Sequence, residues 1–213
     1  MKKIRIKNTQ KVAESVIDTL AGHIKAEKTI LLPAKTIYGI SCSFQSKKAL
    51  EQVYAIKKRD TDLPFIILLA DISQLSQFAR TISAQAKILI EQYWNRPDMS
   101  PLTLIFKKIR NKENDILTQR DTIAVRVAEF SFVREAIKRS LPIISTSATI
   151  SLVKQMPVKV EQVPKDIVNA CDLVIDVEED LLGIESTIID VSGKDLQILR
   201  EGAVESDQIR SLF

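Results

Sequence analysis

Histidine is almost missing from this 213-residue chain: His23 is the only one. A Ser-His-Asp or Cys-His relay, and any metal site needing two imidazoles, is therefore disfavoured. His23 itself falls in a helical pattern and reads as structural. Cysteine is nearly as scarce. Cys42 and Cys171 lie far apart without metal-ligand spacing, which reads as reduced thiols in a cytoplasmic protein. Glycine totals five. No Rossmann or Walker-type glycine pattern occurs, so any nucleotide is held by other means. No stretch approaches the roughly 18 apolar residues of a membrane span. Lys2, Lys3, Arg5, Lys7 and Lys11 crowd the start without an apolar run behind them, so no secretory signal is expected. If the protein is an enzyme, its chemistry falls to lysine, arginine, hydroxyls and carboxylates.

The rest of the composition is that of a globular protein, with 45% hydrophobic and 27% charged residues. The net charge of +4 and pI near 9.0 permit a basic face for a nucleotide or nucleic acid without demanding one. Helical spacing of Val12, Val16, Ile17, Leu20 and Ile24 predicts a helix over 10–27. Further helices are expected over 46–58 (Ser46 as N-cap), 73–78, 83–94, 132–139 and 206–212. Strands are expected over 29–32, 65–70, 102–106, 122–127, 143–145, 173–176, 186–191 and 197–199. Residues 95–100 and 111–120 read as exposed loops. Strands and helices interleave without repeats, low-complexity segments or a linker, which predicts one α/β (α+β) domain over 1–213 with a twisted, largely open mixed sheet flanked by helices.

Four segments carry polar groups at the ends of these elements. Residues 30–40 read I-L-L-P-A-K-T-I-Y-G-I, an apolar strand broken by Pro33 that delivers Thr36 and Tyr38 just before a glycine. Residues 56–64, I-K-K-R-D-T-D-L-P, close a helix on Lys57 and Arg59. Cations there are explained by the helix macrodipole, at about 0.3–1 kcal/mol each. They equally suit an anionic ligand, lysine as a point charge and arginine as a planar fork. Residues 143–151 run from a buried strand into Ser145, Thr146, Ser147, Thr149 and Ser151, either a polar turn or a phosphate cradle. Residues 183–190 (G-I-E-S-T-I-I-D) and 199–203 (L-R-E-G-A) are weak patterns in isolation.

In this order and spacing the segments resemble the YrdC/Sua5/YciO family over about residues 12–204. Pro33, Thr36, Tyr38 and Gly39 match its P-T-D-T-V-Y-G-L segment. Lys57, Arg59 and Pro64 match its K-x-R pair and following proline. Trp94 with Pro101, Leu102 and Thr103 matches W-P-G-P-L-T, here with the extra residues 95–100. Val125, Arg126 and Val127 match V-R-x-P, with Ala128 in place of the proline. Residues 145–148 match the start of S-x-S-A-N, residues 183–190 match G-x-E-S-T-V-V-D, and Arg200, Gly202 and Ala203 match R-P-G-A, with Glu201 for its proline. Thr149 and Leu152 stand where the family loop has asparagine and glycine. Thr149 thus offers one short hydroxyl for an amide, and Leu152 a side chain where glycine permits close approach. Ala34 and Lys35 replace a threonine and an acidic residue.

The resemblance implies an L-threonylcarbamoyladenylate synthase of the short, single-domain form, joining L-threonine, bicarbonate and ATP with release of pyrophosphate, for N6-threonylcarbamoyladenosine in tRNA. The family's site residues then fall on Lys57 and Arg59 as catalytic pair, and on Thr36, Tyr38, Thr103 and Arg126 for the amino-acid substrate. Ser145, Ser147, Thr149, Ser186 and Arg200, with Lys57, would bind the nucleotide. Mg²⁺ would arrive on ATP, with no protein-held metal. Implied partners are tRNA or double-stranded RNA and a downstream threonylcarbamoyl transferase complex, with no membrane. The alternative is a non-catalytic RNA- or nucleotide-binding paralogue, and a third is a changed, more acidic substrate met by Lys35.

Overall fold

The computed structural model describes residues 1–57, 65–96, 99–149 and 156–213. Lys58, Arg59, Pro64, Ser151 and Leu152 lie outside the described residues. Among the described residues ten strands form one mixed sheet: β1 Lys2–Ile6, β2 Ile30–Pro33, β3 Tyr38–Ser43, β4 Ile66–Leu69, β5 Leu102–Lys107, β6 Thr122–Val127, β7 Ile143–Ser147, β8 Leu173–Val177, β9 Thr187–Asp190 and β10 Gln197–Arg200. The helices are α1 Glu14–Lys25, α2 Lys47–Lys57, α3 Ala84–Tyr93, α4 Lys112–Leu117, α5 Ser131–Lys138, α6 Lys165–Ala170 and α7 Ser206–Arg210. Among the described residues no helix is long and apolar enough to cross a membrane.

The strand order is β1-β8-β2-β3-β7-β4-β6-β5-β9-β10. Its middle, β2-β3-β7-β4, is antiparallel, while β4 runs parallel to β6 and β8 parallel to both β1 and β2. Cross-strand partners share a face, so the register sorts the side chains. One face carries Leu31, Ile40, Ile144, Ile67, Val125, Leu104 and Ile189, all buried. Helices α1 and α2 pack on β3, α1 on α5, and α2 on α6. The other face carries Gly39 opposite Ser147, then Ser41, Ser145, Ile66 and Ala124 in one row, and Leu68 opposite Arg126. Small and polar residues on that face leave room that the apolar face does not.

The structure departs from the expected elements where local pattern was weak. Strand β1, hidden among charges, is an edge strand. Lysines protect such an edge from further pairing, and Lys3 and Arg5 pair with Asp176 and Glu178 beside it. Strand β3 alternates Ile40 and Cys42 with Gly39, Ser41 and Ser43, a period-two pattern whose polar half is small rather than charged. Within 111–120, expected as loop, Asn111 caps α4 by accepting the Asn114 N–H at 2.8 Å. Residues 72–77 form a 3₁₀ turn capped by Asp71, not an α-helix. Strand β7 runs past the expected end at Ser145 to Ser147, so Ser147 too belongs to the sheet rather than to a loop beyond it.

Behind β9, one threonine ties down the 200–204 turn. Thr187 Oγ1 accepts the N–H of Gly202 at 2.9 Å and of Val204 at 3.0 Å, and donates to the Val204 carbonyl at 2.6 Å. Thr187→Val keeps the shape and orphans both donors. It is expected to cost about 2–3 kcal/mol, read as a lowered denaturation midpoint at unchanged slope.

Candidate functional site

A cleft opens on the small-residue face. It is lined by Thr36 from the β2–β3 turn, Gly39 from β3, Ile66 and Leu68 from β4, and Arg126 from β6. Ser145 and Ser147 of β7 with Glu185, Ser186 and Arg200 from the C-terminal segments complete it. The turn before β3 is held from outside: the Leu182 and Gly183 N–H groups donate to the Lys35 and Thr36 carbonyls at 3.0 and 2.9 Å. Gly183 has φ +71°, a left-handed conformation that glycine adopts without strain. The G-I-E-S and P-A-K-T segments, far apart in the chain, therefore meet at the rim.

Lys57, at the last position of α2, is 4% exposed. Its ammonium donates to the Ser147 carbonyl at 2.7 Å and to the Thr149 carbonyl, with the Ser147 and Thr149 hydroxyls at 3.3 and 3.4 Å. Those two hydroxyls share a hydrogen bond of 3.0 Å. The oxygens expected to cradle a phosphate are thus already gathered round a lysine, which brings positive charge to the end of β7. Arg59, the other member of the expected pair, lies outside the described residues.

Arg126 is 5% exposed and reaches Thr36: its Nη1 and Nη2 both face the Thr36 hydroxyl at 3.4 Å. Its Nε donates to Glu129 Oε1 at 2.5 Å. At the far wall, the lining Ser186 shares a hydroxyl–hydroxyl bond of 2.9 Å with Thr103, which is buried behind it. Arg200 donates from Nε and Nη2 to the Ser186 carbonyl at 3.1 and 2.9 Å, and pairs with Glu185 at 2.8 Å. The register of β10 slips between Ile198 and Arg200, so Leu199 swings out to 56% exposure while Arg200 pairs opposite Ile188. Gly202 permits this wall: a Cβ there would sit 2.2 Å from the Glu185 carbonyl oxygen.

Tyr38 is placed differently from its neighbours. Its ring is fully buried, and its hydroxyl accepts the Val177 N–H at 3.0 Å, so it lines the cleft without turning its hydroxyl into it. Two carboxylates to which the sequence assigns no role, Glu129 and Glu185 of the G-I-E-S segment, hold the two arginines. The i,i+3 spacing of Arg126 and Glu129 was a signal; for Glu185 and Arg200 only the fold brings the pair together. Among the described residues no group of three or more His, Cys, Asp or Glu could hold a metal ion. The thiols of Cys42 and Cys171 are each pushed up to about 12, chiefly by burial.

The chain matches the Sua5/YciO/YrdC family model, described as "telomere recombination", over residues 23–202. It is 30% identical over 205 residues to the threonylcarbamoyl-AMP synthase of Pyrococcus abyssi, covering 96% of this chain and 59% of that one. To the putative threonylcarbamoyl-AMP synthase of Methanocaldococcus jannaschii it is 30% identical over 191 residues, covering 90% and 87%. The crystal structure of P. abyssi Sua5 complexed with L-threonine superposes with a TM-score of 0.88 at 29% identity, covering 100% of this chain and 61% of that chain. The chain thus spans less than two thirds of the length of the Pyrococcus relative.

Burial raises the Tyr38 phenol from 10.0 to about 12, with the Val177 N–H acting in the opposite sense. Below pH 10 both folded and unfolded chains hold this proton. Between pH 10 and about 12 only the folded chain does, so Tyr38's contribution to stability is lost as pH rises through that window. Burial raises Tyr93 as well, so the test is a difference: a tyrosinate absorbance titration of Tyr38→Phe is expected to lack a phenol that stays un-ionised at pH 11 in the wild type, and no difference between the two at that pH would contradict the buried hydroxyl.

Proposed function

This chain belongs to the Sua5/YciO/YrdC family, and on that premise we propose that it is an ATP-consuming threonylcarbamoyl-AMP synthase acting in tRNA modification. The amine of L-threonine and bicarbonate give a carbamate with loss of water. A carbamate oxygen then attacks the α-phosphorus of ATP, the bond to the β-phosphate oxygen breaks, and pyrophosphate leaves. The nucleophile is already an anion, so the protein's task is positioning and charge neutralisation rather than proton abstraction. That task suits a cleft without histidine.

The observation that carries the reading is one cleft whose lining hydroxyls sit beside anchored cations, Thr36 with Arg126 and Ser186 with Arg200, while Lys57 is bonded to Ser147 of the same lining from behind. In this reading Lys57 faces the phosphates together with Ser145, Ser147 and Thr149. Arg59 and Thr36 take the threonine carboxylate. Arg126 meets the acyl end, and Ser186 and Arg200 line the nucleotide side, while Thr103, expected at the amino-acid substrate, is fully buried and supports the Ser186 hydroxyl instead. Tyr38 contributes backbone and packing, because its hydroxyl is engaged with Val177. Among the described residues, the carboxylates Glu129 and Glu185 beside the cleft are each paired with an arginine, so a divalent ion such as Mg²⁺ would come with the triphosphate. The product, a reactive acyl adenylate, would pass to a tRNA-modifying transferase in the cytoplasm.

Pyrophosphate release by the purified chain is expected to require both threonine and bicarbonate. Lys57→Ala should lower it by about a hundredfold or more, as loss of a charge that acts on the transferring phosphates. Release without threonine, or none under any condition, overturns the reading. RNA affinity falling steeply with salt in the absence of turnover would put a non-catalytic RNA-binding role in its place.

A further inference from the structure

Glu129 is a buried carboxylate to which the reaction above gives no role. Its side chain is 4% exposed, beside Arg126 at 6%. It grips the guanidinium by Nε, on the inner side of the fork, at 2.5 Å. The outer nitrogens, Nη1 and Nη2, are left side by side, equidistant at 3.4 Å from the Thr36 hydroxyl at the cleft. An arginine side chain has four rotatable bonds and explores many rotamers unless something holds it. Here one carboxylate restricts it and aims its two-nitrogen edge outward.

The backbone that carries Glu129 is itself fixed. The Ala128 N–H donates to the Leu69 carbonyl at 3.0 Å, which carries the β4–β6 pairing one residue past Val127. A proline at 128, as in the V-R-x-P segment, has no N–H and cannot make that bond. From α5, Arg134 Nη1 donates to the Ala128 and Glu129 carbonyls at 3.0 and 2.6 Å. The pKa of Arg134 is lowered by burial, an effect the negative charge of Glu129 opposes. The alanine and the glutamate therefore act as one unit: the extended ladder and the Arg134 clamp hold residue 129 where its carboxylate turns back onto Arg126.

We propose that Glu129 is a positioning residue, which through Nε fixes Arg126 so that its Nη1–Nη2 edge, backed by Thr36, donates to the acyl oxygen of the amino-acid substrate. The proposal rests on the reading of the cleft as an amino-acid and nucleotide site. It separates two substrates: losing Glu129 should disturb the amino-acid end and leave the nucleotide end intact.

The test uses the full chain. In steady-state pyrophosphate release, Glu129→Ala is expected to raise KM for threonine or lower kcat by about tenfold or more in combined effect, with KM for ATP within twofold. Glu129→Gln, which keeps an acceptor for Nε–H, should recover most of that loss. Equal damage at both substrates, no damage, or no recovery in the glutamine variant overturns the proposal. A second arm needs no turnover. By ¹⁵N NMR, the Arg126 Nη protons of the wild type are expected to give separate signals from hindered rotation, identified by their loss in Arg126→Lys and averaged in Glu129→Ala. If wild-type protein shows no threonine-dependent turnover, the functional reading fails and the NMR arm alone decides the positioning. Averaged Arg126 signals in the wild type overturn it, even if Glu129→Ala does not fold.

Discussion

A hydrogen atom at position 39 is the constraint on which the cleft depends. A Cβ there would lie 2.7 Å from the Ser145 hydroxyl and 3.0 Å from the Thr146 carbonyl oxygen, closer than side-chain carbons approach. With glycine, β3 and β7 run as an uninterrupted ladder from Gly39–Ser147 to Ser43–Ile143. That ladder sets Ser41 and Ser145 side by side, their hydroxyls 3.1 Å apart, and carries Ser147 to where Lys57 can reach it. The floor of the cleft is thus sheet, with its polar groups fixed by strand register rather than by loop conformation.

The three described cations of the site are anchored by different chemistry. Arg126 and Arg200 each hold a carboxylate, Glu129 and Glu185, and each also touches a hydroxyl of the cleft. Lys57 is held by carbonyls and hydroxyls at the end of β7. A paired guanidinium keeps its donors while its net charge is offset, so it orients a polar group more than it attracts an anion. Lysine serves as a point charge, the form suited to phosphate. The amino-acid and phosphate ends of the proposed substrate therefore meet different electrostatic surroundings.

Much of this was legible in the chain because its elements obey simple periodicities. Helix α1 and strands β4 to β6 follow directly from apolar spacing. The order of motif segments already pointed to the family and to an open mixed sheet. What stayed illegible has physical causes. In β3 the outward residues are glycine and serine, so alternation is muted. Strand β1 is set by its pairing with β8, a distant segment, with Asp176 and the following Glu178 offsetting its cations. Helix α4 is a single capped turn and a half, too short for periodicity. Tyr38 reads as a site hydroxyl beside Thr36, yet strand alternation turns it to the face of Ile40, where Val177 takes its oxygen. The Glu185–Arg200 pair joins residues that only the packing of β9 against β10 brings together.

Strand β8 is wedged between β1 and β2, and pairs with both. The first strand of the chain therefore has no neighbour until residues 173–177 exist. On a ribosome, the gap between completing β2 and completing β8 is on the order of ten seconds. During it β2 can lean only on β3, and β1 must wait as an unpaired, lysine-rich ribbon. Its charges then do a second service. They keep this segment dissolved and unattractive to other strands until its place in the sheet has been synthesised.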